Sequence, residues 1–171
     1  YNWSQEGSIA SNGPITLSGQ AYVNGNANPG LDYPFSGTPP VSGSYGTLSA
    51  PITVVPIPTS VLTAAQTSND NTNIIDSAGQ PFVLSGYALT VSASQSIVLQ
   101  GGTYYFTSIT SEGNITVAAP STIFVDGGNI SIAGPGIIND DQPRNLLLYS
   151  TGSSINLAGQ AAFAGAIYAP N

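Results

Sequence analysis

The sequence holds no cysteine, histidine or methionine, and Arg144 is its only basic side chain, so lysine is absent as well. Each absence removes a kind of chemistry. Without His, Cys or Lys there is no Ser-His-Asp or Cys-His nucleophile, no Schiff-base lysine and no imidazole general base. Zinc and similar metals lose their preferred nitrogen and sulfur ligands, leaving only oxygen donors. No disulfide framework can form. An enzyme made from this set would have to run on carboxylates alone, so the expectation is a non-catalytic structural or binding protein.

Charge is scarce too. Charged residues are 5% of the 171, against about 25% in an ordinary domain, while hydrophobic residues reach 41%. That balance is the reverse of a disordered chain. The net charge of −7 leaves nothing to replace phosphate counterions, which argues against nucleic acid and anionic membrane surfaces as partners. No apolar run approaches the roughly 18 residues of a membrane span, and no basic-then-apolar leader opens the chain. A lysine-free, hydroxyl-rich surface with one tryptic site suits an extracellular or cell-surface location.

What is present alternates. Ile15-x-Leu17, Leu89-x-Val91, Ile97-x-Leu99, Ile115-x-Val117, Ile123-x-Val125, Ile130-x-Ile132, Leu146-x-Leu148 and Ile155-x-Leu157 have the period of two that marks short β-strands. Asn12-Gly13, Asn24-Gly25, Asp126-Gly127-Gly128 and Gly134-Pro135-Gly136 read as turns between them. Residues 15–25 and 155–165 share Ile, Leu, Gly-Gln-Ala and Gly in the same places, and residues 115–123 resemble 130–138. Self-similar strand–turn units point to an array in which each coil buries its apolar side on the next. The expected fold is all-β, an irregular parallel β-solenoid with at most one short helix. An antiparallel sandwich is the competing fold, but its strands are usually longer and more evenly spaced.

The expected organisation is a single domain over 1–171. It comprises a first coil and N-terminal segment over 1–27, a Pro-rich and polar excursion over 28–80, and the main solenoid over 81–171. Pro29, Pro34, Pro39, Pro40, Pro51, Pro56 and Pro58 lie in the excursion, where missing ladder donors argue against central strands. Residues 60–66 suit a short helix with Thr59 or Ser60 as its cap.

Gly102-Thr-Tyr-Tyr-Phe106, Asn145-Leu-Leu-Leu-Tyr149 and the stretch from Phe163 to Asn171 resemble a bacterial cell-surface β-helix domain of unassigned function. That domain is found behind PilX-type prepilin-like segments. The resemblance implies a β-helix fold and a surface-appendage setting, and carries no catalytic residue. It lacks the prepilin helix in front and further coils behind. A weaker similarity, through Gly102–Phe106 and the later Phe-x-Gly, is to the irregular solenoid of microbial ice-binding proteins, although no regular Thr-x-Thr array is present.

Three groups carry candidate chemistry. Asp140-Asp141 with Arg144 is the densest charge cluster. Paired catalytic carboxylates need about 5–9.5 Å of separation and different surroundings, whereas these sit beside Pro143 in a turn. Asp70, Asn71, Asn73 and Asp76 make an oxygen-rich stretch, a calcium candidate that lacks the helix–loop–helix spacing and reads equally as a solvated Asx-turn loop. Asn2, Asn114 and Asn129 fit the N-glycosylation pattern by composition. In Tyr104-Tyr105-Phe106, alternation sends Tyr105 to the side opposite its neighbours.

The expected function is a structural subunit of a bacterial surface appendage that self-associates head to tail by strand addition. Tyr1, Trp3 and Ile9 at one end, with Phe163, Ile167 and Tyr168 at the other, are the expected interface. An adhesin-like module for glycans, another surface protein or ice is the alternative, and a carboxylate-only polysaccharide hydrolase the third.

Overall fold

The computed structural model describes residues 8–17, 22–35, 37–140, 142–158 and 163–170. The chain is mostly β and folds as a parallel β-solenoid. It divides into two compact units, Tyr1–Val54 and Val55–Asn171. That division falls inside the Pro-rich stretch, not at residues 27 or 80.

In the first unit, strand β1 (Ile9–Ala10) pairs in parallel with β2 (Ala27–Asn28), and Ala27 bridges in parallel to Tyr45. Val23 and Val41 make a second parallel bridge. The excursion therefore contributes rungs of its own at Val41 and Tyr45. Ile15-x-Leu17 alternates in sequence but forms no strand.

The second unit opens with helix α1 (Thr59–Thr67). Pro58 stands at its N-cap and no side chain caps it; Thr59 and Ser60, the expected caps, lie inside the helix. Leu62 and Ala65 form its buried face. A 3-10 turn over Asn71–Asn73 leads to strand β3 (Ile75–Asp76).

From Ala88 onward the alternating segments become strands that wind around three faces. The first face stacks β4 (Ala88–Val91), β7 (Ser108–Ser111), β10 (Ile130–Ile132) and β13 (Ile155–Leu157). The second stacks β5 (Ser96–Leu99), β8 (Asn114–Val117) and β11 (Gly136–Ile138), with β3 covering β5 in antiparallel fashion. The third stacks β6 (Gly102–Phe106), β9 (Ser121–Val125), β12 (Leu146–Ser150) and β14 (Ala166–Tyr168). Apart from β3, every pairing in these three sheets is parallel.

Parallel register puts like residues above one another. Leu89, Ile109, Ile130 and Ile155 form one inward column; Ile97, Ile115 and Ile137 form another; Tyr104, Ile123, Leu148 and Ile167 form a third. All but the last members of the first and third columns are buried in one core. Ile115 and Ile130, equivalent in the sequence repeat, lie on different faces. That repeat is a strand–corner–strand unit, not a coil. Corners turn on glycine: a Cβ on Gly128 would stand 2.0 Å from the Thr107 carbonyl oxygen, and one on Gly152 1.9 Å from that of Gly128. Only hydrogen fits between stacked corners.

No helix among the described residues is long and apolar enough to cross a membrane.

Candidate functional site

Two features of the second unit stand out: the edges of its third sheet and that sheet's outward face.

At the front edge, no strand among the described residues precedes β6 in its sheet. On a strand, alternate residues turn their backbone groups to the same side, here Thr103 and Tyr105. Both are satisfied by the 3-10 segment. The Asp70 amide donates to the Thr103 carbonyl (2.7 Å), and the Asp70 carboxylate Oδ2 accepts from the Thr103 amide (2.8 Å). Two residues farther along β6, Asn71 Nδ2 donates to the Tyr105 carbonyl (2.7 Å), while its Oδ1 accepts from the Tyr105 amide (3.1 Å). The carboxamide thus stands in for a rung of the missing strand. Gly102 makes room for this: a Cβ there would lie 2.2 Å from Asp70 Oδ2.

The calcium candidates make further hydrogen bonds here. Asp70 Oδ1 accepts from Asn73 Nδ2 (3.1 Å), and Asp76 Oδ1 accepts from the amides of Ala78 and Gln80 (2.8 and 2.9 Å). The structure brings Asp70, Asn71 and Asn73 together as a cap on β6 and puts Asp76 in an adjacent Asx turn. Among the described residues no three acids, His or Cys gather in metal-binding proximity.

At the back edge the inward columns come to the surface. Ile132 and Leu148 are 2% and 1% exposed, but their register partners on the last strands, Leu157 and Ile167, are 37% and 40% exposed. Phe163 packs partly against the core. Of the other expected interface residues, Ile9 is half-buried as a rung of the first unit, and Tyr1 and Trp3 lie outside the described residues.

The outward face of the third sheet carries an aromatic ladder. Tyr105, Phe124, Tyr149 and Tyr168 are aligned by register on four successive strands. Phe124 and Tyr149 stack at 4.9 Å and 8°, and Tyr168 meets Tyr149 edge-on at 5.9 Å. Tyr104 and Phe106 point inward, as alternation requires, with both rings fully buried. Leu62 and Ala65 of α1 cover Tyr105 and Phe124. Burial pushes the Tyr105 hydroxyl up to about 12, and its hydrogen bond to Asp126 Oδ2 (3.0 Å) adds to the shift. Burial likewise raises Tyr104, whose hydroxyl donates to the Gly101 carbonyl.

Farther along, the strap Val55–Pro58 flanks the ladder, and the Tyr168 hydroxyl donates to the Val55 carbonyl. Between strap and sheet runs an open groove of about 470 Å³. Thr103, Thr122 and Leu147 line it beside Phe124, Tyr149 and Tyr168. Among the described residues no carboxylate or guanidinium borders it. The groove offers ring faces and the hydroxyls of threonine and tyrosine, the chemistry of an uncharged ligand. Sequence alternation set Tyr105 opposite Tyr104 and Phe106 but gave neither its side nor any means of aligning it with Phe124, Tyr149 and Tyr168.

Asp140, with φ of 53°, is an exposed corner residue, and Arg144 is exposed in a 3-10 turn over Pro143–Asn145; Asp141 lies outside the described residues. Of the glycosylation candidates, Asn129 is exposed, Asn114 has a buried side-chain oxygen, and Asn2 lies outside the described residues.

Comparison with protein-family models, with curated proteins and with solved structures found no match to this chain.

Proposed function

We propose that this chain is a non-catalytic structural module of a bacterial cell-surface assembly, extended head to tail by strand addition. The observation that supports this is the surfacing of the apolar columns at Leu157 and Ile167. A further parallel coil laid on β13 and β14 would bury them as Ile132 and Leu148 are buried, and would pair the outer side of each strand. The donor in this reading is the N-terminal segment or first coil of a second copy, with β1. Such a head-to-tail contact does not close and generates filaments. The lack of His, Cys and Lys and the resemblance to a cell-surface β-helix domain favour the same reading.

Sedimentation velocity and negative-stain microscopy test it. The protein is expected to form linear oligomers, and Leu157→Lys with Ile167→Lys to remain monomeric, because charge on an edge strand opposes pairing. Deletion of residues 1–7 is expected to do the same. It spares β1 and Asn12, whose carboxamide holds Ile52 through two hydrogen bonds. A wild-type protein that stays monomeric at all concentrations would sink the proposal.

A second reading rests on the aromatic ladder and its groove. Stacked rings beside Thr103 and Thr122 suit the apolar faces and hydroxyls of a neutral saccharide. Glycan-array binding abolished by Tyr149→Ala would support it. The ice alternative draws on the first face, where Thr90, Thr110, Ser131 and Asn156 form one exposed polar column. Thermal hysteresis is its readout.

A further inference from the structure

The second unit presents complementary edges. The first and last strands of its third sheet run in the same direction with the same inward and outward columns, so the back edge of that sheet in one copy matches its front edge in another. In the third sheet β14 matches β6: Tyr168 and Tyr105 end the same outward column, and Ile167 and Tyr104 the same inward one. Left bare, β6 would accept β14 of a second copy.

We infer that Asp70 and Asn71 form a guard on β6 that denies this edge to a second copy of the chain. Together they saturate the front-facing amide and carbonyl of both Thr103 and Tyr105. The guard is fastened on three sides. Asn69 donates from Nδ2 to the Gln66 carbonyl at the end of α1 and accepts from the Asn71 amide. Asn73 holds the other oxygen of Asp70, and Ile74 is fully buried in the core. The neighbouring front strand β5 is covered separately by β3.

The back edge contrasts with this. No described side chain reaches across β14 as Asn71 reaches across β6. This inference deepens the proposed end-to-end association by directing an incoming back edge away from β6, and so rests on that reading for its purpose. The guard itself is read on different atoms.

Amide hydrogen exchange at Thr103 and Tyr105 tests it. In the wild type both are expected to be protected at every protein concentration. In Asp70→Ala/Asn71→Ala both should exchange on the order of tenfold faster or more in dilute solution, with β9 and β12 still protected. Protection should return as the protein is concentrated, when β14 of another copy pairs with the opened strand. Adding Ile167→Lys should abolish that return. Protection unchanged in dilute double variant, or exchange that stays fast at every concentration, would overturn the inference.

Should the double variant lose protection in β9 and β12 as well, Asn71→Ala alone supplies the second reading. It leaves Asp70 on Thr103 and opens only the amide and carbonyl of Tyr105, so exchange should quicken at Tyr105 and not at Thr103. Loss of β9 and β12 protection in that variant too would make the pair a folding element and not a guard. Failure of the wild type to associate, read by sedimentation, bears only on the proposed function.

Discussion

The two units stack parallel coils by different means. In the second, Ile, Val, Leu and aromatic side chains form one continuous buried core. In the first, Val23 and Ala27 are the only buried hydrophobic residues among those described, while Tyr22, Leu31, Tyr33 and Tyr45 are exposed. Polar side chains tie its coils instead. Ser42 donates to Asn24, the amide and hydroxyl of Ser44 donate to Asn26, and Asn28 donates to the Gly46 carbonyl. A net hydrogen bond contributes about 0.5–1.5 kcal/mol, and burying a large aliphatic or aromatic side chain about 1.5–3 kcal/mol. Coil stacking is therefore available to both compositions, but high stability belongs to the second unit.

The sharpest way to break this contrast is a core truncation. Phe106→Ala, at a fully buried ring, is expected to destabilise the second unit by about 3–5 kcal/mol. Residue-resolved hydrogen exchange in denaturant should show that loss in β4–β12 and not around β1 and β2. Equal losses in both units would show one cooperative block and end the comparison.

Val23→Ala in the first unit is expected to cost less, about 1–2 kcal/mol, since it removes two methyl groups from a small core. Its effect should appear at Ala27 and Val41 by the same exchange measurement.

A third prediction concerns alkali. The Tyr105 hydroxyl is held protonated in the folded protein up to about 12, whereas an unfolded tyrosine ionises near 10. Between those values the unfolded chain binds fewer protons, so stability falls as pH rises through this window and is unaffected below it. Denaturation midpoints from pH 9 to 12 should fall more steeply for the wild type than for Tyr105→Phe.

The smallest expected effect on stability is that of Ile167→Lys, within about 0.5 kcal/mol, because the side chain is exposed at an edge. Its thermal midpoint should match the wild type while its association, read by sedimentation, does not.

Much of the second unit is readable from alternation alone. Every alternating pair from Leu89 to Ile155 lies in a strand, and the helix expected over 60–66 spans Thr59–Thr67. The opposed directions of Tyr104 and Tyr105 followed from the two-residue period. Coil register did not. Irregular corners make Ile130 a partner of Ile109 and Ile155, while the sequence repeat had matched it to Ile115. Nor did prolines in 28–60 reveal that Val41 and Tyr45 serve as rungs. One clue to the β6 guard was present in Gly101-Gly102, a pair that signals close backbone approach within a strand, but it does not say what approaches.

Composition and alternation by themselves determined that this chain winds apolar strands into a parallel solenoid, because side-chain direction along a strand is a local property. Tertiary structure alone decided what Asp70 and Asn71 do. An acid and an amide in a polar stretch have many chemical uses, and only their arrival at the bare amides and carbonyls of Thr103 and Tyr105 selects one. The same holds for the ladder from Tyr105 to Tyr168, whose members are distant in sequence and become neighbours only when coils stack. Local periodicity is written residue by residue; an edge and a register exist only between segments.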